Sequence, residues 1–120
     1  MTTRPAKQLD TFPNPRRGRE YSILFDCPEF TCLCPITGQP DFYTATIEYE
    51  PGELCLESKS LKIYLSRFRD EGVFCEALAV QIRDEVAAAL ELETNRVHVE
   101  LKQKARGGIT TTVVVTHAKP

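Results

Sequence analysis

The sequence predicts an α+β domain: an antiparallel β-sheet with two consecutive helices packed on one face. Residues 41–50 and 96–103 alternate apolar or β-branched side chains with polar ones, the period of a half-buried strand. Two adjacent segments between 60 and 90 instead carry apolar residues at helical spacing. Proline and glycine punctuate the boundaries, so the element order reads β-β-β-α-α-β-β.

Residues 1–20 hold Pro5, Pro13, Pro15 and the basic run Arg16-Arg17-Gly18-Arg19 with little apolar periodicity, and read as a mobile arm or an extended edge. A single domain is expected over 21–120. Tyr21–Phe25 looks like a short strand ending at Asp26-Cys27-Pro28, followed by a loop over 31–40 that proline and glycine keep from forming a helix. After the strand at 41–50, Pro51-Gly52 turns the chain into Leu54-Cys55-Leu56. Leu61, Tyr64, Leu65 and Phe68 form the apolar stripe of the first helix, which Gly72 closes. Phe74, Leu78, Ile82, Val86 and Leu90 mark the second. Val97, Val99 and Leu101 share one face of the next strand, and the Gly107-Gly108 turn leads into a β-branched strand at 109–116.

The chain's 120 residues suffice for one modest core. Hydrophobic residues at 42% and charged residues at 27% are globular values and argue against disorder. Fifteen basic against seventeen acidic side chains give no global attraction to nucleic acid or anionic membrane. No apolar run is long enough to span a bilayer, and the polar N-terminus is unlike a signal peptide, so a cytoplasmic protein is expected. In that reducing setting the five cysteines are read as buried, metal-binding or catalytic rather than disulfide-bonded.

Three cysteines, Cys27, Cys32 and Cys34, lie within eight residues. Zinc would want four ligands in paired Cys-x2–4-Cys units, and the second half is missing: His98 and His117 are distant and isolated, so no metal is expected. Cys34 sits on the loop with an acid, Asp41, seven residues on at the start of a strand. A thiolate adds readily to electrophilic carbon, and a partly desolvated carboxyl can supply the proton. On local evidence alone, a structural loop cysteine beside a turn aspartate is the plainer reading. In Glu57-Ser58-Lys59-Ser60-Leu61-Lys62-Ile63-Tyr64, Lys59 and Lys62 are three apart at a helix start, nearly on one face, where paired ammonium groups can hold phosphate; an ordinary charged first turn is the plainer reading. There is no Gly-x-Gly-x-x-Gly for a dinucleotide bound in the Rossmann manner.

Taken together, these segments resemble the queuosine-pathway nitrile reductases, the QueF family of the tunnelling (T-) fold, over roughly residues 20–115. Cys34-Pro35-x-Thr37-Gly38-Gln39-Pro40-Asp41-Phe42 matches the family's nucleophile loop. Glu57–Tyr64 looks like its cofactor signature, and Ser66-x-Phe68-Arg69 with Gly72-x-Phe74-x-Glu76 is similar to the helix junction that carries a substrate-binding glutamate. The resemblance implies NADPH-dependent reduction of 7-cyano-7-deazaguanine to 7-aminomethyl-7-deazaguanine. The residue matching Cys34 forms a covalent thioimide with the nitrile carbon, and the one matching Asp41 is the general acid. Glu76, with Cys75, Glu57 and Ser58, would contact the substrate; Ser58, Lys59, Lys62 and Arg106 would hold NADPH.

A domain this small leaves little room to enclose both a nucleobase and a dinucleotide, so neighbouring subunits are expected to complete the site. By resemblance they assemble into an oligomeric barrel. One departure stands out: the family places histidine before the substrate glutamate, and this chain reads Phe74-Cys75-Glu76. That change keeps open the QueF-like amidinotransferases, which add ammonia to a nitrile on tRNA without NADPH. A non-catalytic purine-binding T-fold protein is the remaining alternative.

Overall fold

The computed structural model describes residues 8–116. In chain order these form β1 (Thr11–Pro13), β2 (Ile23–Leu33), β3 (Pro40–Tyr49), β4 (Leu54–Leu56), α1 (Ser58–Ser66), α2 (Cys75–Leu90), β5 (Val97–Gln103) and β6 (Thr112–Val115). Short 3-10 turns at Arg67–Asp70 and Thr94–Arg96 follow the two helices. A four-stranded antiparallel sheet runs in the order β2-β3-β5-β6, and β1 pairs separately with β4. The mixed architecture with two consecutive helices is the one the sequence predicts. Among the described residues no helix is long and apolar enough to cross a membrane.

The period-2 pattern of β3 and β5 explains the core. Tyr43, Ala45, Ile47 and Tyr49 face inward with Val97, Val99 and Leu101, all essentially buried. Against them α2 lays Leu78, Ala79, Ile82, Val86 and Leu90, also buried. The expected stripe of α1 is intact: Leu61, Tyr64, Leu65 and Phe68 are all buried, although the last turn tightens to 3-10 before Phe68. Edge-to-face contacts of Phe68 with Tyr64 (5.3 Å) and Phe30 (5.9 Å) tie this helix to β2. Phe74, expected on the apolar stripe of the second helix, instead lies just before α2 and is exposed.

The first strand differs from the sequence expectation. It does not end at Pro28 but runs on to Leu33, through a bulge that sets Pro28 and Glu29 opposite the single residue Thr44. Proline's missing N–H is tolerated there because the ladder is already interrupted. The extra residue inverts the strand's parity. Ile23, Phe25 and Cys27 lean inward before the bulge, Phe30 and Cys32 after it. This switch is why the segment reads as two pieces in the sequence.

The described part of the N-terminal arm is an extended edge. Besides the β1–β4 ladder, the Asp10 N–H donates to Ser60 Oγ (2.9 Å), and its carbonyl accepts from the Glu57 N–H (2.9 Å). Buried Asn14 donates through Nδ2 to the Gly52 carbonyl (2.8 Å) and accepts at Oδ1 from the Arg16 N–H and the Tyr21 hydroxyl.

Ile82 is fully buried between α2 and the sheet. Ile82→Ala is expected to cost about 2–5 kcal/mol of stability, checked by urea unfolding with the slope unchanged.

Candidate active site

The β2–β3 hairpin gives the spacing of Cys34 and Asp41 its meaning. Cys32 pairs with Asp41 and Leu33 with Pro40, and the Cys34 N–H donates to the Gln39 carbonyl (2.8 Å). Cys34 and Asp41 are therefore diagonal neighbours across the mouth of one hairpin. The loop closes with the Gly38 N–H donating to the Cys34 carbonyl (2.8 Å) at a left-handed glycine, φ 71°.

Cys34 is partly exposed, and its thiol is held below the ordinary cysteine range. The Thr37 hydroxyl is the main cause, followed by the backbone N–H groups of Thr37 and Ile36; desolvation and then the Asp41 charge oppose them. Burial drives Cys27, Cys32 and Cys75 the other way, Cys75 to about 11. The lowered thiol makes Cys34 the candidate nucleophile of the cleft. Thr37, its main stabiliser, is a site residue missed by sequence reading, and its only signal is a hydroxyl three residues after a loop cysteine.

A second stitch brings α2 alongside. The Leu33 N–H donates to the Glu71 carbonyl (2.8 Å) and the Val73 N–H to that of Leu33 (3.2 Å), a parallel bridge across Gly72. A Cβ on Gly72 would stand 3.3 Å from Pro35 Cα, so a side chain there would push the two backbones apart by a few tenths of an ångström. Val73, Phe74, Cys75 and Glu76 consequently form the far wall of a cleft of about 320 Å³ whose near wall holds Cys34, Asp41 and Tyr43. The Cys75 thiol donates to Glu76 Oε1 (3.4 Å), and burial, with the neighbouring carboxylate, keeps it protonated.

Asp41 is 5% exposed, and its Oδ1 is bound by Arg106, which also donates from Nη1 to the Pro40 carbonyl (3.2 Å). Arg106 projects from a tight turn: Gly107 and Gly108 have positive φ, and Arg106 and Ile109 exchange both backbone hydrogen bonds (2.9 and 3.1 Å). The structure therefore joins Cys34, Asp41, Cys75, Glu76 and Arg106 in one cleft, with Arg106 on the carboxylate rather than beside the lysines.

The remaining candidates lie elsewhere on the chain. Glu57 caps α1, its carboxylate accepting from the Lys59 and Ser60 N–H groups (2.6 and 2.9 Å). Ser58 and Lys62 line a largely apolar groove of about 390 Å³ between the β2 bulge and α1, floored by Phe25, Phe30 and Leu61. Lys59 lines a different groove, with Asp10 and Ser60. Lys59 and Lys62, three apart on α1, thus border two neighbouring grooves rather than a single one. The sequential cysteines also diverge, Cys27 onto the α1 groove and Cys34 into the cleft. No three His, Cys, Asp or Glu side chains converge as metal ligands among the described residues, and His117 lies outside them.

A partly exposed cysteine with a lowered thiol and a carboxylate at a hairpin mouth, facing a helix-borne glutamate, make a candidate thiol-nucleophile site on an antiparallel α+β domain. Residues 40–120 match the family model described as QueF-like protein. The chain is 51% identical over its whole length to the NADPH-dependent 7-cyano-7-deazaguanine reductase of Alkalilimnicola ehrlichii, covering 92% of it. It is 50% identical over 99% of its length to the reductase of the same name from Nitrosomonas europaea, covering 84% of that protein. This chain belongs to the QueF family. An apo crystal structure of the archaeosine synthase QueF-Like superposes with a TM-score of 0.71 at 23% identity, over 88% of this chain and all of that one, and so shares the fold.

Thr37→Val is expected to move the midpoint of the pH–rate profile for iodoacetamide alkylation of Cys34 upward, slowing the reaction at neutral pH. Peptide mass spectrometry should find Cys75 unmodified over the same range.

Proposed function

We propose that this chain is a cytoplasmic NADPH-dependent nitrile reductase that converts 7-cyano-7-deazaguanine to 7-aminomethyl-7-deazaguanine in queuosine biosynthesis. The observation that carries the reading is the meeting of an activated Cys34 with Asp41 and Glu76 in one cleft. The identity with reductases over the full chain supports the substrate class and the cofactor.

Cys34 sulfur adds to the nitrile carbon while Asp41 delivers a proton to the nitrogen, giving a thioimide on Cys34. Glu76 accepts hydrogen bonds from the N–H groups of the deazaguanine edge, and the buried Cys75 thiol keeps that carboxylate oriented. Tyr43, whose hydroxyl is held protonated by burial, lines the same cleft. The four-electron reduction takes two hydrides, one from each of two NADPH. For that cofactor, the apolar floor under Ser58 and Lys62 suits an aromatic ring with a phosphate at its edge.

Within one chain the lysines and Cys34 line separate clefts. We therefore place the complete site between subunits of a homo-oligomer, one providing the cleft and its neighbour the Glu57–Lys62 segment. Cys75 in place of histidine is the feature that favours the amidinotransferase reading, in which ammonia rather than hydride would meet the thioimide.

With 7-cyano-7-deazaguanine and NADPH, absorbance at the nicotinamide band should fall with the protein and not with Cys34→Ala. Asp41→Asn should slow the reaction about 10²-fold or more. Lys62→Ala should raise KM for NADPH and leave adduct formation on Cys34 unchanged. A stable adduct with no NADPH oxidation, converted on nitrile-bearing tRNA by ammonia, would replace this reading with amidination.

A further inference from the structure

Asp41 is almost completely buried in a cleft whose other acidic groups are Cys34 and Glu76, and the cation facing it is Arg106. Arg106 is the basic side chain among the residues lining that cleft, and it lies on the Asp41 carboxylate. The guanidinium is held from two sides. Its Nη1 bridges the Pro40 carbonyl and Asp41 Oδ1, and its backbone is pinned by the Arg106–Ile109 turn. Next to that turn, the Lys104 N–H donates to the Phe42 carbonyl (2.9 Å), which keeps the end of β5 against β3 beside Asp41. The Arg106 side chain remains 43% exposed, so it forms the solvent-side cover of a carboxylate that is 7% exposed at its side chain.

We propose that Arg106 is a positioning residue for Asp41: it fixes the carboxylate by Oδ1 and leaves Oδ2 to pass the proton to the substrate nitrogen. This rests on the thioimide reading above and assigns Arg106 a task other than gripping cofactor phosphate. The step balances without a redox partner. The S–C bond forms, one π bond of the nitrile breaks, and its electron pair takes the single proton shared by Cys34 and Asp41. Arg106 stays on Oδ1 throughout, so the carboxylate neither rotates away nor needs water to settle its charge.

The discriminating measurement leaves NADPH out. Wild-type protein mixed with 7-cyano-7-deazaguanine should gain the mass of the nitrile on Cys34, followed by intact-protein mass spectrometry. Arg106→Ala should slow that gain at least about tenfold, while iodoacetamide still alkylates Cys34 at the wild-type rate. Guanidinium ion at a non-denaturing concentration should restore part of the lost rate. Arg106→Lys, tested in case the alanine variant does not fold, should also be slow, because the shorter lysine side chain does not bring its ammonium to the position of Nη1 between Pro40 and Asp41. An adduct rate equal to wild type in either variant, with KM for NADPH raised, would overturn the proposal and return Arg106 to the cofactor. A parallel loss of iodoacetamide reactivity would overturn it too, by showing that the cleft had collapsed. Absence of any adduct with wild-type protein is a separate failure, of the thioimide reading itself.

Discussion

Two backbone hydrogen bonds between Leu33 and the Glu71–Val73 segment hold the site together. They extend the edge of β2 by a short parallel step, and they do so where the chain passes from one helix to the next. On one side of the stitch lies the hairpin mouth with Cys34 and Asp41; on the other, Cys75 and Glu76 at the start of α2. Neither half has a cleft alone. The close pass of Gly72 against Pro35 determines how near the walls come, and the aromatic chain from Tyr43 through Phe30 and Phe68 to Tyr64 braces the joint from the core side. The chemistry uses few side chains because backbone contacts fix where those side chains stand.

The electrostatics follow the same division. Hydroxyl and amide donors in the hairpin loop favour the charged form of Cys34, while burial suppresses ionisation of Cys75 only a cleft's width away. Two thiols of one residue type are thus shifted in opposite directions. The one on the tight, donor-rich turn is shifted toward thiolate, and the one on the helix, hydrogen-bonded to a carboxylate, serves as a donor.

Much of the fold was legible because it rests on periodicity. The stripes of α1 and α2 and the alternation of β3 and β5 each report a single buried face, and the structure buries those faces. The β2 bulge was not legible, since a parity change inside a strand looks in sequence like its end. The Cys34–Asp41 pair was visible as a spacing but ambiguous until the hairpin register showed both on one side. Arg106 could not be placed, because its partner is 65 residues away and nothing local marks the pairing. Nor could the separate grooves that Lys59 and Lys62 line, since the docked arm contributes Gln8 and Asp10 to one of them. Glu57 illustrates another limit, for its carboxylate satisfies two orphan amides at the helix start, a demand that any helix beginning there would make.

The single surplus residue in the β2 bulge has an evolutionary side. Because it reverses which faces of the strand point inward, every position from Phe30 to Cys32 depends on the number of residues before it more than on their identity. Substitutions at Pro28 or Glu29 fall on exposed positions and alter little of the core. Removing one residue there would turn Cys32 toward solvent and carry the Cys34–Asp41 hairpin out of phase with α2. The bulge should therefore vary freely in composition across lineages and hardly at all in length.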